Sequence, residues 1–275
     1  MKMRTLLLAA AALTGWAAAA AADTLDEIKK RGEMIVGMEI AYQPFEYFKD
    51  GKVIGYDIDI ATKIAERIGV KPKFVDTAWA GVIPSLYAQK FDTIMSGMAI
   101  TKDRSEKVLF AMPYAESGSI IMIRAASSGQ IKTPADLAGK SVGTQLGSPT
   151  DVLAKKLEAK LKADGKPGFK SYKLYEHYPE SYLDLGNGRL DAVILSRTIA
   201  MVLIRDQPGK FAIVDGVQDI KVYAGYAFRK GDEAFVAIVN EVLGGMKASG
   251  ELAALQQKWF GMTMDTPNTI PEALP

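Results

Sequence analysis

From Met34 onward, short apolar runs alternate with stretches of helical periodicity, and this alternation confines the chain to an α/β architecture. In DIDIATKIAERIG, apolar residues fall at Ile58, Ile60, Ala61, Ile64, Ala65 and Ile68, the spacing of one helix face, and Gly69 stands where a helix ends. A strand over 34–37 precedes this helix and one over 73–75 follows it. A helix over 79–89, with Pro84 near its first turn, and a strand over 92–95 extend the series. Strand, helix, strand, helix, strand predicts a parallel sheet with crossover helices. The pattern restarts with an extended 120–124 and a helix start at Thr133 and Pro134. Strands over 141–145, 169–175, 191–195 and 211–214 follow, with helices over 149–163, 182–185 and 198–205. A short helix over 25–31, capped by Thr24, opens the series. A strand over 221–228 and helices over 232–247 and 251–260 close it. No Pro-, Gly- or Ser-rich linker divides the two units, which predicts two lobes with a cleft between them. Ligands of open α/β sheets gather at the carboxyl ends of the strands.

The N-terminus has a separate character. Lys2 and Arg4, the mostly apolar run 6–22, and Ala20, Ala21 and Ala22 before Asp23 have the form of a cleavable secretory signal peptide over 1–22. No other stretch approaches the ~20 apolar residues of a membrane span. Lys2 and Arg4 are the only charges in that leader, so the 34 basic residues fall to 32 and match the 32 acidic ones. A neutral mature chain without a basic stripe predicts no nucleic-acid partner. The chain has no cysteine, so export brings no disulfides and an N-terminal lipid anchor is excluded. An exported, unanchored chain is retained near the cell only behind an outer membrane, so the expected compartment is a periplasm.

Little in the sequence points to catalysis or to a cofactor. The one histidine, His177, lies in YEHYPES, which reads as a solvated loop, and no metal-ligand spacing is present. AGKS at 138–141 ends like a phosphate loop, but Pro134 stands where its first glycine is required. No G-x-S-x-G elbow occurs. The stretch GMAITKDR, 97–104, steps from an apolar strand through a glycine-led loop to a single arginine. By itself it reads either as a surface turn or as an anion site, with loop N–H groups and a guanidinium aimed at one carboxylate.

Five segments carrying six motifs occur in order: GMEIAYQPFEYFKDGKVIGYDIDIATKIAERIGV (37–70), which carries two of the motifs, then IPSL (83–86), DTIMSGMAITKDR (92–104), GNGRLDAV (186–193) and KWFG (258–261). Together they resemble the family 3 solute-binding proteins of ATP-driven importers, the polar amino-acid receptors of the bacterial periplasm. The resemblance covers essentially the whole mature chain. It implies a two-lobed clamp of the type II periplasmic binding fold, each lobe a mostly parallel sheet flanked by helices, with a two-strand hinge near 116–121 and 222–226. It assigns 24–117 plus 223–262 to lobe 1 and 118–222 to lobe 2, and leaves 263–275 as a C-terminal tail. It implies a monomeric receptor, not an enzyme, that captures an amino acid or related small carboxylate and delivers it to an inner-membrane permease.

The resemblance also assigns roles by position. Arg104 pairs with the ligand α-carboxylate, Ala99 donates its N–H to it, and the Gly97 carbonyl accepts from the ammonium. A planar guanidinium fork suits a carboxylate better than a lysine does. Gly147, Ser148 and Thr150, at the start of a second-lobe helix, supply the other half of the cradle, with Pro149 deleting one N–H. Tyr42 and Trp79 sandwich the ligand. Glu39 sits where receptors for basic amino acids carry the acid that reads a distal cation. Met98 stands beside Gly97 within reach of the ligand, while Met95 and Met112 read as core filler.

One position departs from the family pattern. The ammonium anchor, an acid following GRLDA and its strand, is here Ser196, followed by Arg197. A charge-assisted hydrogen bond contributes ~1.5–3 kcal/mol against ~0.5–1.5 for a neutral one. The ligand therefore lacks a free α-ammonium, as an organic acid or opine does, with Arg197 meeting a second carboxylate; or Glu39 compensates; or an amino acid binds more weakly. Two other classes are compatible with the sequence. One is an enzyme on the same fold resembling cyclohexadienyl dehydratases. The other is a sensory or accessory module, which the lack of a signalling domain after Pro275 disfavours.

Overall fold

The computed structural model describes residues 24–217 and 220–272. The expected signal segment 1–22 and the end of the expected tail, 273–275, lie outside the described residues.

Two five-stranded sheets follow the same plan. The first runs in the order Lys71–Asp76, Glu33–Met38, Thr93–Ile94, Ala227–Phe228, Leu109–Phe110. Its first three strands are parallel, and Ala227–Phe228 is antiparallel to both of its neighbours. The second runs Ser171–Tyr175, Ser141–Gln145, Ala192–Ser196, Ser119–Arg124, Phe211–Val214, with Ser119–Arg124 as the antiparallel member. Helices flank both sheets, giving an α/β two-lobed clamp. Between the sheets, Ala115–Glu116 pairs antiparallel with Tyr223–Ala224, so two extended segments pass side by side from one sheet to the other.

The helix Tyr56–Ile68 shows why these sequences fold as they do. Its apolar stripe buries Ile60, Ala61, Ile64 and Ala65 completely. A fully buried isoleucine contributes ~1.5–3 kcal/mol, so the stripe fixes the helix to the sheet. Gly69, at φ 85°, ends it by donating its N–H to the carbonyls of Ala65 and Glu66.

Several boundaries differ from expectation. The helix expected over 79–89 is a 3₁₀ turn, Trp79–Gly81, followed by the short helix Val82–Tyr87. The strand expected over 92–95 shortens to Thr93–Ile94. The single strand expected over 221–228 is split, because Tyr223–Ala224 joins the crossing ribbon and Ala227–Phe228 joins the first sheet. Gly225 lies between them, where a Cβ would meet Ile100 at 2.9 Å and the Ala111 carbonyl at 3.1 Å. YEHYPES is not a loop: the helix Tyr178–Gly186 begins within it, with Pro179 in its first turn. The Thr24 hydroxyl donates to Asp232 Oδ1 at 2.6 Å, tying the first helix to the returning chain instead of capping it. No helix among the described residues is long and apolar enough to cross a membrane.

Candidate functional site

A cavity of about 940 Å³ opens where the carboxyl ends of the two sheets face each other. Glu39 follows the strand Glu33–Met38, and Gly97, Met98 and Ala99 follow Thr93–Ile94. Trp79 comes after Lys71–Asp76, Gly147, Ser148 and Thr150 after Ser141–Gln145, and Ser196 ends Ala192–Ser196. These residues, with Tyr42 and Arg104, all border this one cavity.

Arg104 sits on the short helix Lys102–Ser105, capped by Thr101, whose Oγ1 accepts from the Arg104 N–H at 3.4 Å. Its Nη1 donates to the Ala99 carbonyl at 3.1 Å, and the guanidinium carbon lies 5.1 Å from the Trp79 ring centroid. Trp79 is thus already engaged by a cation. The preceding loop is held by Ile100 N–H to the Tyr223 carbonyl and by Gly225 N–H to the Met98 carbonyl. That pattern leaves the N–H and C=O of Ala99 on the opposite side, where Arg104 meets the carbonyl. Burial lowers the Arg104 pKa to about 10, so the group stays charged at neutral pH. Among the described residues no carboxylate pairs with it. A partly desolvated cation with one of five donors satisfied by protein favours an incoming anion.

Gly97 is required twice over. Its φ is 51°, and a Cβ would stand 2.6 Å from the Tyr42 ring. The Tyr42 ring stacks on Phe45 with centroids 5.1 Å apart and lies 6.0 Å from Tyr178 of the opposite lobe. The Tyr42 hydroxyl interacts with Ser196, whose Oγ is 2.8 Å from Thr198 Oγ1. Ser196 therefore presents a neutral, hydrogen-bonded wall. Arg197 pairs with Asp215 at the surface and does not border the cavity, so the expectation that it meets a second ligand carboxylate is corrected.

On the second lobe, Ser148 Oγ accepts from the Asp151 N–H at 3.2 Å and caps the helix Pro149–Ala163. Thr150 Oγ1 lies 2.6 Å from Thr144 Oγ1 and 2.7 Å from both Ser148 Oγ and Tyr178 Oη. Thr144 and Ser148 donate their own hydroxyl protons to the Ile194 and Gln145 carbonyls, so Thr150 donates to one of these two hydroxyl oxygens and accepts from Tyr178, and this network holds the wall in shape. Gly147, at φ 73°, marks a close approach of the lobes: a Cβ there would lie 3.1 Å from Ala80 Cα.

Glu39 holds a second interlobe contact that sequence reading missed. It is 2% exposed. Gln145 Nε2 lies 2.7 Å from each of its oxygens, and His177 Nδ1 lies 2.7 Å from Oε1. His177 is consequently half-buried against an acid of the opposite lobe, which corrects its reading as a solvated loop residue. Burial raises the Glu39 pKa against the opposing hydrogen bonds from His177 and Gln145. Burial alone would lower that of His177, but the bond to Glu39 and the charges of Glu39, Glu176 and Glu180 raise it overall. Tyr178 and Gln145 also escaped the sequence reading. Their one visible signal is position, each lying at or just beyond the carboxyl end of a strand.

Beneath the first-lobe wall lie two buried acids. Asp57 accepts from the Gly97 N–H at 2.9 Å, the Tyr114 hydroxyl at 2.9 Å and the Tyr226 hydroxyl at 3.0 Å. Glu46 accepts from the Ser96 hydroxyl, whose oxygen receives the Glu39 N–H at 3.1 Å. Burial, and for Glu46 also the neighbouring Asp57, raises both pKa values, that of Asp57 to about 6. An acid with a raised folded-state pKa holds its proton in the native state after the unfolded chain has lost its own, so stability falls as pH rises. The melting temperature is expected to decline between pH 5 and pH 8, and Glu46→Gln, which keeps a neutral group, is expected to flatten most of that decline. A melt series in which both proteins share the same slope contradicts this assignment.

The fold and the cavity define a two-lobed solute-binding clamp. Residues 34–262 match the bacterial extracellular solute-binding proteins, family 3, and the chain belongs to that family. It is 32% identical over 238 residues to the L-cystine-binding protein TcyJ of Escherichia coli (strain K12), covering 86% of each chain. It is 33% identical over 233 residues to the L-arginine-binding protein of Pseudomonas aeruginosa, covering 82% of this chain and 86% of that one. A crystal structure of an ancestral amino-acid-binding protein, a precursor of cyclohexadienyl dehydratase, superposes with a TM-score of 0.78 at 35% identity, covering 86% of this chain and 99% of that one. The relatives give the chain a substrate-binding role.

Proposed function

We propose that this protein is the periplasmic receptor of an ABC importer and that its cargo is an amino acid or a related small carboxylate. The observation that carries the reading is Arg104, a charged guanidinium without a described carboxylate partner, set in a cavity between two lobes. The cargo carboxylate takes the open donors of Arg104 and the N–H of Ala99 from one lobe. The loop at Gly147 and Ser148 approaches it from the other, where a helix N-terminus favours an anion. The lobes, taken as 24–117 with 223–262 and as 118–222, close by bending at the paired segments Ala115–Glu116 and Tyr223–Ala224. The leader 1–22 directs export, the mature chain acts as a monomer, and an inner-membrane permease receives the cargo. The relatives named for cystine and arginine support an amino-acid cargo.

A thermal-shift screen of amino acids, opines and small organic acids tests this reading, because a true ligand stabilises in proportion to the logarithm of its concentration over Kd. No shift from any carboxylate contradicts it. Ser196 adds a sharper check. Ser196→Asp is expected to tighten α-amino acids by about tenfold, the value of one charge-assisted bond replacing a neutral one. If calorimetry finds no gain for any of the twenty, Ser196 does not face the ammonium. A second reading, an enzyme on the same fold, draws on the Glu39–His177 pair at the cavity wall and on the dehydratase-precursor neighbour. Turnover of a screened compound, followed by NMR, decides for it.

A further inference from the structure

Two carboxylates border the cavity among the described residues. Asp103 is exposed at the mouth, and Glu39 is set into the inner wall. Both oxygens of Glu39 are engaged by the opposite lobe. Gln145 Nε2 reaches both of its oxygens at 2.7 Å, and His177 Nδ1 reaches Oε1 at 2.7 Å. The Gln145 amide is itself fixed from behind, since Nε2 also donates to the Glu176 carbonyl at 3.0 Å. The other charged groups that border the cavity are all positive. Lys102, Lys107 and Lys156 border the same cavity as Arg104, and among the described residues none of the three pairs with a carboxylate.

We propose that Glu39 is the clasp that draws the two lobes together and not a receptor for ligand charge, so that the cargo is a carboxylate of zero or negative net charge. The proposal rests on the carboxylate-receptor reading and names the class of cargo within it. A ligand with a cationic side chain gains from Glu39 only by stripping Gln145 and His177 from it. That leaves two polar groups unpaired in a closed wall and cancels the gain. The same ligand meets a cavity already rich in positive charge, where like charges repel. A neutral or anionic side chain leaves the clasp intact, and an anionic one gains from the lysine rim. The clasp also rewards closure, because Glu39 loses water on closing and needs partners that only the other lobe supplies.

Calorimetry and thermal shift on the mature protein test this with succinate, glutamate, glutamine and arginine as probes. At least one of the first three is expected to bind, with arginine about 100-fold weaker or more than the best of them. The double variant Gln145→Ala/His177→Ala releases Glu39, and its arginine affinity is expected to rise by about tenfold over wild type, the value of one charge-assisted bond. Arginine binding to wild type as tightly as the best neutral or anionic probe overturns the inference and leaves the carboxylate-receptor reading standing. A folded double variant, verified by circular dichroism, with unchanged arginine affinity also overturns it. If the double variant does not fold, the wild-type ranking alone decides. If no carboxylate binds wild type at all, the receptor reading falls and takes the inference with it.

Discussion

Arg104→Ala is expected to weaken cargo binding by about two orders of magnitude or more while leaving the unliganded fold nearly as stable as before. Two charge-assisted hydrogen bonds to one carboxylate contribute ~1.5–3 kcal/mol each, and every 1.4 kcal/mol is tenfold in Kd. The small cost to the unliganded fold has a separate cause. The Arg104 side chain makes one hydrogen bond, to the Ala99 carbonyl, and lies over the Trp79 ring. Against these stands the desolvation that lowers its pKa. Losing the group therefore trades a modest contact for relief of a buried charge. Arg104→Lys keeps the charge but not the planar fork, and is expected to recover only part of the affinity. Calorimetry with the best ligand and denaturant melts without ligand separate the two effects. A variant that loses binding only because it unfolds contradicts the assignment.

Asp57→Ala is expected to destabilise the fold by roughly 3–5 kcal/mol, because it leaves three buried donors without an acceptor. Its carboxylate is the common acceptor for the Gly97 N–H, the Tyr114 hydroxyl and the Tyr226 hydroxyl, all buried. Each donor left without an acceptor costs about 1–3 kcal/mol. The tyrosines amplify the loss, because Tyr114 packs 4.1 Å from Tyr226 and 5.7 Å from Tyr56 between ring centroids. Asp57→Asn keeps one acceptor oxygen and is expected to lose less. Because Gly97 opens the loop that leads to Arg104, the alanine variant is also expected to bind cargo more weakly at temperatures where it remains folded. Urea unfolding measures the first effect and calorimetry the second. A stability loss below about 1 kcal/mol contradicts the role given to Asp57.

What the sequence made legible follows from how local each signal is. The helix Tyr56–Ile68 and its stop at Gly69 were readable because periodicity and termination are written in adjacent residues. The alternation of strands and helices predicted the two-sheet plan, while Arg104, Gly97, Trp79 and Ser196 were assigned by the resemblance to the family 3 solute-binding proteins, and all four border one cavity. Pairings across the fold were not legible. Glu39 and His177 lie 138 residues apart, and Asp57 and Tyr226 lie 169 apart. Nothing local to His177 distinguishes a solvated histidine from one that meets an acid on the opposite lobe. Arg197 illustrates the converse: it follows a cavity residue in the chain, yet the turn into its helix sends it to Asp215 at the surface. The division of 221–228 between two sheets depends on Ile100 and Ala111 closing around Gly225, which no window of sequence contains.

The claim on which the functional account depends is that a guanidinium in the cleft holds a ligand carboxylate. Titrating the protein with its best amino acid and with the primary amide of that same molecule changes this one group and nothing else in the ligand's shape. The account predicts that the free acid binds and that the amide binds about 100-fold more weakly or not at all. Equal affinity for acid and amide would show that Arg104 holds no carboxylate, and the proposed receptor chemistry would be wrong.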